Sequence, residues 1–372
     1  MKSLFSTIDL DWEVYYGRLP DYISIYKNQE FPNWKNSDIV IFGIKSSDEE
    51  NEGSEHAPDA IRKNFYKLYA GEWSIKISDL GNINTVDETA LQNIFEELLF
   101  NNKKIILLGG SQKHLYIISK SIQTIQSYQN ISIIDSEIDL TQDIVNPELN
   151  LNHKNYLNYI LGDAKITLNN ISLLGLQTYY NSQDTLNYLN KLYIDSYFLR
   201  ELKNNINYIE PELRDSHIIS IDVNSLENSY FPAQKISRPN GFNGLDICKI
   251  ARLSGLSDKN KIFGIFEMNP FYDKNELGAN LSAQILWYFI EGKNKFFQNN
   301  EQNKENLLKF YVNLELVDLI FYKDENTERW WVEFKNLNLN NKIFACSLED
   351  YNEAINKRLS KRLIRLIEKN TL

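Results

Sequence analysis

Cysteine is scarce. Cys248 and Cys346 are the two in 372 residues. Two cannot make a disulfide framework, and the lack of a CxxC pair excludes a thiolate metal cluster. Histidine numbers four: His56, His114, His153 and His217. Long apolar runs are missing. Nothing approaches the ~18 uninterrupted apolar residues of a membrane span, so none is expected. The opening MKSLFSTIDLDWEVYYG has one lysine and no sustained apolar core, and Asp9, Asp11 and Glu13 come early. It reads as a poor signal peptide, and a cytoplasmic location is expected. Positive charge is in deficit. The formal net charge of -10 argues against nucleic acid as the main partner. Internal repeats and a Pro-rich linker are also absent.

What is present can build a large core: 42% of residues are hydrophobic and 24% charged. The length permits one large α/β domain with additions, or two domains. Residues 1–37 are aromatic and irregular and read as an arm packed over a domain surface. From 38 to 290 strand-like and helix-like segments alternate. The expected strands are 38–44, 73–80, 104–108, 131–134, 171–174, 217–221 and 261–266. The expected helices are 58–69, with Pro58 in the first turn, then 90–100, 114–128, 155–160, 192–202, 243–253 and 281–290. This pattern predicts a mostly parallel sheet with helices on both faces. The residues that end its strands then gather at one edge, where an open α/β sheet places its ligand.

One stretch organises that edge. Ile131–Ile134 reads as a buried strand, and Asp135, Glu137 and Asp139 follow at alternate positions. Three carboxylates this close repel one another, and a divalent cation is the usual compensator. A solvated acidic loop is the plainer reading. Asp222, at the end of the 217–221 strand, is a natural partner for Asp135 and Asp139.

The tail, 291–372, begins with an asparagine-rich charged run to 306. Residues 310–317, 319–323 and 328–334 read as strands around a turn at 324–327, giving a β-hairpin. Residues 348–368 read as one final helix. Ile355, Leu359, Leu363 and Leu366 make its apolar face. Lys357, Arg358, Lys361, Arg362 and Arg365 make a basic face that could dock a partner.

Six short segments recur in a meaningful order: Pro58–Arg62, Asp79-Leu80-Gly81, Gly109-Gly110-Ser111-Gln112, Asp135-Ser136-Glu137-Ile138-Asp139, Ser220-Ile221-Asp222-Val223-Asn224 and Glu267-Met268-Asn269-Pro270. Together they resemble the ureohydrolase family of arginase, agmatinase and formimidoylglutamase over about residues 38–290, with formimidoylglutamase-like proteins nearest in style. The resemblance implies a three-layer α/β/α fold with a mostly parallel sheet, here with an N-terminal arm and a C-terminal hairpin-helix extension. It implies two manganese ions at the carboxyl edge of the sheet. They generate a hydroxide that attacks a guanidinium or formimino carbon.

The metal-binding pattern is degenerate. Gln112 stands where the family's Gly-Gly-Asp-His segment has its histidine. Glu137 stands at the histidine of Asp-Ala-His-x-Asp, and Asn224 at the second aspartate of Ser-Phe-Asp-x-Asp. Glu227 stands where that last motif continues to another aspartate. Asp135, Asp139 and Asp222 remain. Glu267 would gather a guanidinium-like group, and His153 lies where some relatives place a proton-shuttling histidine. One cation position would draw on Gln112, Asp135, Asp139 and Asp222, the other on Asp135, Glu137, Asp222 and Asn224. Such oxygen donors suit magnesium or calcium, with manganese tolerable. Lys113 offers another solution, a lysine paired with a carboxylate in place of a cation.

Three functions follow. The leading one is a non-catalytic ureohydrolase-like scaffold or regulator, without a cofactor and with a protein partner or self-association. A divergent metal-dependent hydrolase of formimino or guanidino carbon–nitrogen bonds is the alternative. A sensor that holds a small amidine or amino acid without turnover is the third.

Overall fold

The computed structural model describes residues 1–83, 87–141, 150–298, 307–315, 317–325, 327–335 and 342–371. The main sheet has ten strands. They are β1 (Phe5–Ser6), β2 (Ile23–Ile25), β3 (Ile39–Ile44), β4 (Ile77–Ile83), β5 (Lys104–Leu108), β6 (Gln129–Ile134), β7 (Leu168–Leu176), β8 (Asp195–Phe198), β9 (Ile218–Asp222) and β10 (Ile262–Phe266). Their order is β1-β4-β3-β5-β10-β9-β6-β7-β8, with β2 also paired to β4. β1 runs antiparallel to β4, and the other pairings are parallel.

Alternation along the strands builds two cores. Ile39, Ile41, Ile106, Leu108, Ile219 and Ile221 pack in one cluster with helices Ala57–Phe65, Gly244–Gly255 and Leu277–Gln298. Val40, Phe42, Ile105, Leu107, Ile131 and Ile133 join the other, with helices Glu88–Phe100, Leu115–Gln123 and Tyr156–Gly162. Neighbouring residues on a strand point to opposite faces, so strands covered on both sides read as unbroken apolar runs. The result is the expected three-layer α/β/α architecture. Two of the helices begin on side-chain caps: Asp87 accepts from the Ala90 N–H at 2.8 Å, and Asn243 and Asp246 form a capping box.

Several elements differ from expectation. The N-terminal arm does more than cover a surface, because β1 and β2 both pair with β4. β4 starts at Ile77 rather than Trp73 and continues through Gly81, which sits at φ 83°. A side chain at Gly81 would lie 2.0 Å from the Ser6 carbonyl oxygen, so this glycine admits β1 rather than ending a strand. Residues 192–202 hold strand β8 and one short helical turn instead of a helix. Asp195 on β8 is paired with Arg365 and Lys369 at 3.4 and 2.8 Å, and these tertiary partners bury a polar residue that local periodicity places outside.

The tail folds as a four-stranded antiparallel sheet rather than a hairpin: β11 (Leu308–Asn313), β12 (Asp318–Lys323), β13 (Trp330–Phe334) and β14 (Ile343–Cys346), in that order. Of the expected segments, residues 299–306 of the charged run, residue 316 after β11 and residue 326 of the turn lie outside the described residues. The single final helix is two, Leu348–Ile355 and Lys361–Thr371. Lys357 between them is left-handed at φ 62°. Ser360 donates to Asp350 at 2.5 Å, which ties the start of the second helix to the first. Leu363 is buried and Leu359 and Leu366 pack beside it, but Ile355 is exposed. Much of the basic face docks on the chain itself: Arg362 meets Glu212 at 2.5 Å and Arg365 meets Asp195. Among the described residues no helix is long and apolar enough to cross a membrane.

Two of the short motifs meet as one buried ion pair. Arg62 Nε and Nη2 donate to the two oxygens of Asp79 at 2.8 and 3.0 Å, and Tyr66 Oη donates to Asp79 at 2.8 Å. Arg62 also donates to the Gly81 carbonyl at 2.9 Å, so the helix after β3 is tied to the bend in β4. Removing one partner strands the other charge in the core. Asp79→Ala is expected to lower unfolding free energy by about 3–5 kcal/mol in urea denaturation. Tyr66→Phe should cost about 1 kcal/mol. Equal costs for the two variants would refute a paired-charge role.

Candidate metal centre

The carboxyl ends of β5, β10, β9 and β6 lie side by side. After β5 the chain passes through Gly109 and Gly110 at φ 64° and 79°. A side chain at Gly110 would come 2.8 Å from the Ile44 carbonyl oxygen, so only glycine lets the backbone turn here. The turn delivers Ser111 and Gln112. Asp222 ends β9, Asp135 follows β6, and Glu267 follows β10.

Asp135, Asp139 and Asp222 converge: one oxygen from each lies within 4.8 Å of the others. Each is more than nine-tenths buried. Asp135 accepts from the Glu137 N–H at 3.1 Å and Asp222 from the Asn224 N–H at 2.6 Å. Asp139 Oδ2 is buried without a hydrogen-bond partner, as is Gln112 Oε1, whose Nε2 donates to Ser220 Oγ at 2.9 Å. Burial lifts the Asp135 carboxyl to about 7. Burial and then the neighbouring aspartates lift Asp139 and Asp222 well above the usual range. Three converging carboxylates, one with an orphaned oxygen, fit one hard divalent cation, and its charge would hold them ionised.

Glu137, whose charge is felt by all three aspartates, and Asn224 are engaged in other bonds. Glu137 is bonded by the Arg238 guanidinium, which stacks 3.9 Å from the Tyr180 ring centroid. Asn224 supplies its backbone N–H to Asp222, and its carbonyl accepts from Ser136 Oγ at 3.2 Å. A second cation therefore lacks a free carboxylate at 137. Lys113 contacts Asp48, a carboxylate outside the aspartate cluster.

Asp48 belongs to a second group, with His153 and Glu267. His153 Nδ1 lies 3.0 Å from Asp48 Oδ2, and Ser111 donates to the same oxygen at 2.7 Å. Burial opposes charge on both partners. Their hydrogen bonds outweigh it, lowering Asp48 and raising His153. Glu267 is raised by burial, against the lowering influence of His153. Its two oxygens accept from the Gln112 N–H at 2.7 Å and from Asn51 Nδ2 at 2.9 Å. Its backbone is left-handed at φ 64°. Neither His114 nor His217 enters the site. His114 bonds Ser46 Oγ at 2.6 Å and His217 accepts from the Asn130 N–H at 3.0 Å.

Asp48 and Arg238 went unnoticed in the sequence. Asp48 lies among acids in the polar 45–57 loop with nothing to single it out. Arg238 follows Ser237 in a loop without motif.

A parallel sheet with buried carboxylates at its carboxyl edge defines an α/β protein with a candidate cation-binding site. The sequence pattern of the Arginase family matches residues 37–291, and the chain belongs to that family. It is 23% identical over 257 residues to formimidoylglutamase of Staphylococcus aureus (strain MSSA476), covering 64% of this chain and 79% of the relative. Solved structures share the fold. Formimidoylglutamase from Bacillus subtilis subsp. subtilis str. 168 gives a TM-score of 0.65 at 18% identity, covering 74% of this chain and 92% of that one. Trypanosoma cruzi formiminoglutamase, solved with Mn2+, gives 0.65 at 15% identity, covering 74% and 98%. Agmatine ureohydrolase of Thermoplasma volcanium gives 0.58 at 21%, covering 72% and 93%.

The buried aspartates set a pH dependence. The unfolded Asp135 releases its proton near 3.8, the folded one near 7. Between these values the native state binds more protons, so the slope of unfolding free energy against pH is negative. Chelator-treated protein should therefore lose the trio's contribution as pH rises from 3.8 to about 7. Added manganese or magnesium should reverse that slope, because the ion binds ionised carboxylates. Urea titrations with and without chelator, compared with Asp139→Asn, measure both. A slope unchanged by the substitution would refute the assignment.

Proposed function

We propose that this chain is a non-catalytic member of the arginase family that acts as a scaffold or regulator. The observation that carries the reading is the Arg238–Glu137 contact. Hydrolysis at a metal centre depends on ions that lower the pKa of a bound water and orient it. Here Glu137, at one imidazole position of the family pattern, is committed to a guanidinium. The other imidazole position holds Gln112, a neutral amide. The donors around Asp135, Asp139 and Asp222 are all oxygens, and a bound ion would chiefly neutralise buried charge. If it binds, Asp135, Asp139, Asp222 and Gln112 would hold it. Exposed Tyr16, Tyr22 and Tyr69 near the arm, and Leu308, Tyr311 and Ile343 on the small sheet, offer surfaces for a protein partner or self-association.

A divergent hydrolase of formimino or guanidino carbon–nitrogen bonds is the second reading. It is favoured by the Asp48–His153–Glu267 group, which sets an imidazole and a buried carboxylate together beside the aspartates. Glu267 would take the positive end of a substrate and His153 would move a proton. The crevice would also serve a sensor for a small amidine or amino acid.

Protein loaded with manganese or magnesium is expected to release no formamide from formimino compounds and no urea from guanidino compounds above the level of an Asp135→Asn/Asp222→Asn control. Metal-dependent release that Glu267→Gln abolishes would overturn the non-catalytic reading.

A further inference from the structure

Arg238 is enclosed by its contacts. Its side chain is 8% exposed and lies against Glu137 and the Tyr180 ring. Its N–H donates to Gln234 Oε1 at 3.3 Å, and its carbonyl accepts from the Asn228 N–H at 2.7 Å. Gln234 in turn donates to the Val223 and Leu226 carbonyls at 2.5 and 2.8 Å. The loop holding Arg238 is thus locked to the segment that follows Asp222 on β9. A guanidinium held in this way keeps its charge at any working pH and presents its donors in a fixed plane.

The cluster therefore has two halves. In one, Glu137 and Arg238 neutralise each other. In the other, Asp135, Asp139 and Asp222 face one another with Asp139 Oδ2 and Gln112 Oε1 unpartnered and buried. With all four carboxylates ionised, as a bound cation would hold them, one guanidinium leaves three excess negative charges. One divalent ion brings the excess to a single charge. A second would overshoot and would need Glu137 released from Arg238.

We infer that Arg238 is a built-in cation that closes half of the carboxylate cluster, so that the protein binds a single hard divalent ion through Asp135, Asp139, Asp222 and Gln112. The inference deepens the non-catalytic reading and rests on it for the role of that ion, which is to neutralise buried charge. Here Arg238 takes the carboxylate that a second ion would need.

The test is a manganese titration of the full chain by calorimetry and electron paramagnetic resonance. The expected stoichiometry is about one ion per chain, with the six-line spectrum of an isolated manganese ion and loss of binding in Asp139→Asn. Arg238→Ala frees Glu137 and should raise the stoichiometry to about two, with the spectrum broadened by exchange between neighbouring ions. Should Arg238→Ala fail to fold, Glu137→Gln serves. It removes the carboxylate that Arg238 neutralises and should leave the stoichiometry unchanged. Two ions in the unaltered protein, no ion at all, an unchanged stoichiometry in folded Arg238→Ala, or loss of binding in Glu137→Gln would each overturn the proposal. Substrate turnover by the one-ion protein would sink the non-catalytic reading and leave the single-ion assignment standing. Two ions without turnover would do the reverse.

Discussion

Three carboxylates whose oxygens lie within 4.8 Å of one another, each nearly sealed from water, repel in a medium that screens them poorly. Such an arrangement persists only if protons, fixed cations or a metal offset the repulsion. The surrounding structure supplies part of the offset by design of the backbone. The Asn224 and Glu137 N–H groups point at Asp222 and Asp135, and Arg238 takes the charge of Glu137. The parallel sheet makes this convergence possible, because it delivers four consecutive strand ends to one edge.

The fold was legible because its strands are covered on both faces. Ile39–Ile44, Lys104–Leu108 and Ile262–Phe266 are apolar runs with polar or glycine ends, and both the runs and their ends survive in the sequence as such. Asp135, Asp222 and Glu267 were found for the same reason: each is the first acid at or beyond a buried strand. Asp48 and Arg238 were not, because their partners lie 105 and 101 residues away and loops carry them. Residues 192–202 misled because burial there depends on Arg365 and Lys369, which arrive from the far end of the chain. Glu137 was placed in the right segment, but its direction is set by Arg238, and no spacing rule encodes that.

Charged side chains link the C-terminal region to the main domain. Arg362 reaches Glu212, and Arg214 donates to the Trp330 carbonyl at 2.8 Å while lying 4.6 Å from the Trp331 ring centroid. Glu212 also accepts from Ser172 and Tyr197, at 2.8 Å each, so one buried carboxylate joins β7, β8 and the last helix. The family match ends at residue 291, and the small sheet lies beyond it. Its own apolar cluster, around Phe321, Trp330 and Val332, gives it an interior separate from the two cores of the main sheet.

Glu267 adds a constraint on how this chain can vary. A side chain at φ 64° costs about 1–3 kcal/mol relative to an unstrained backbone. Glycine at this position would recover that energy, yet it would erase the carboxylate that receives the Gln112 N–H and the Asn51 amide. Stability and charge thus pull residue 267 in opposite directions. A change to glycine would relax the backbone and lose the acid together, so in this chain the carboxylate is present at the expense of the backbone.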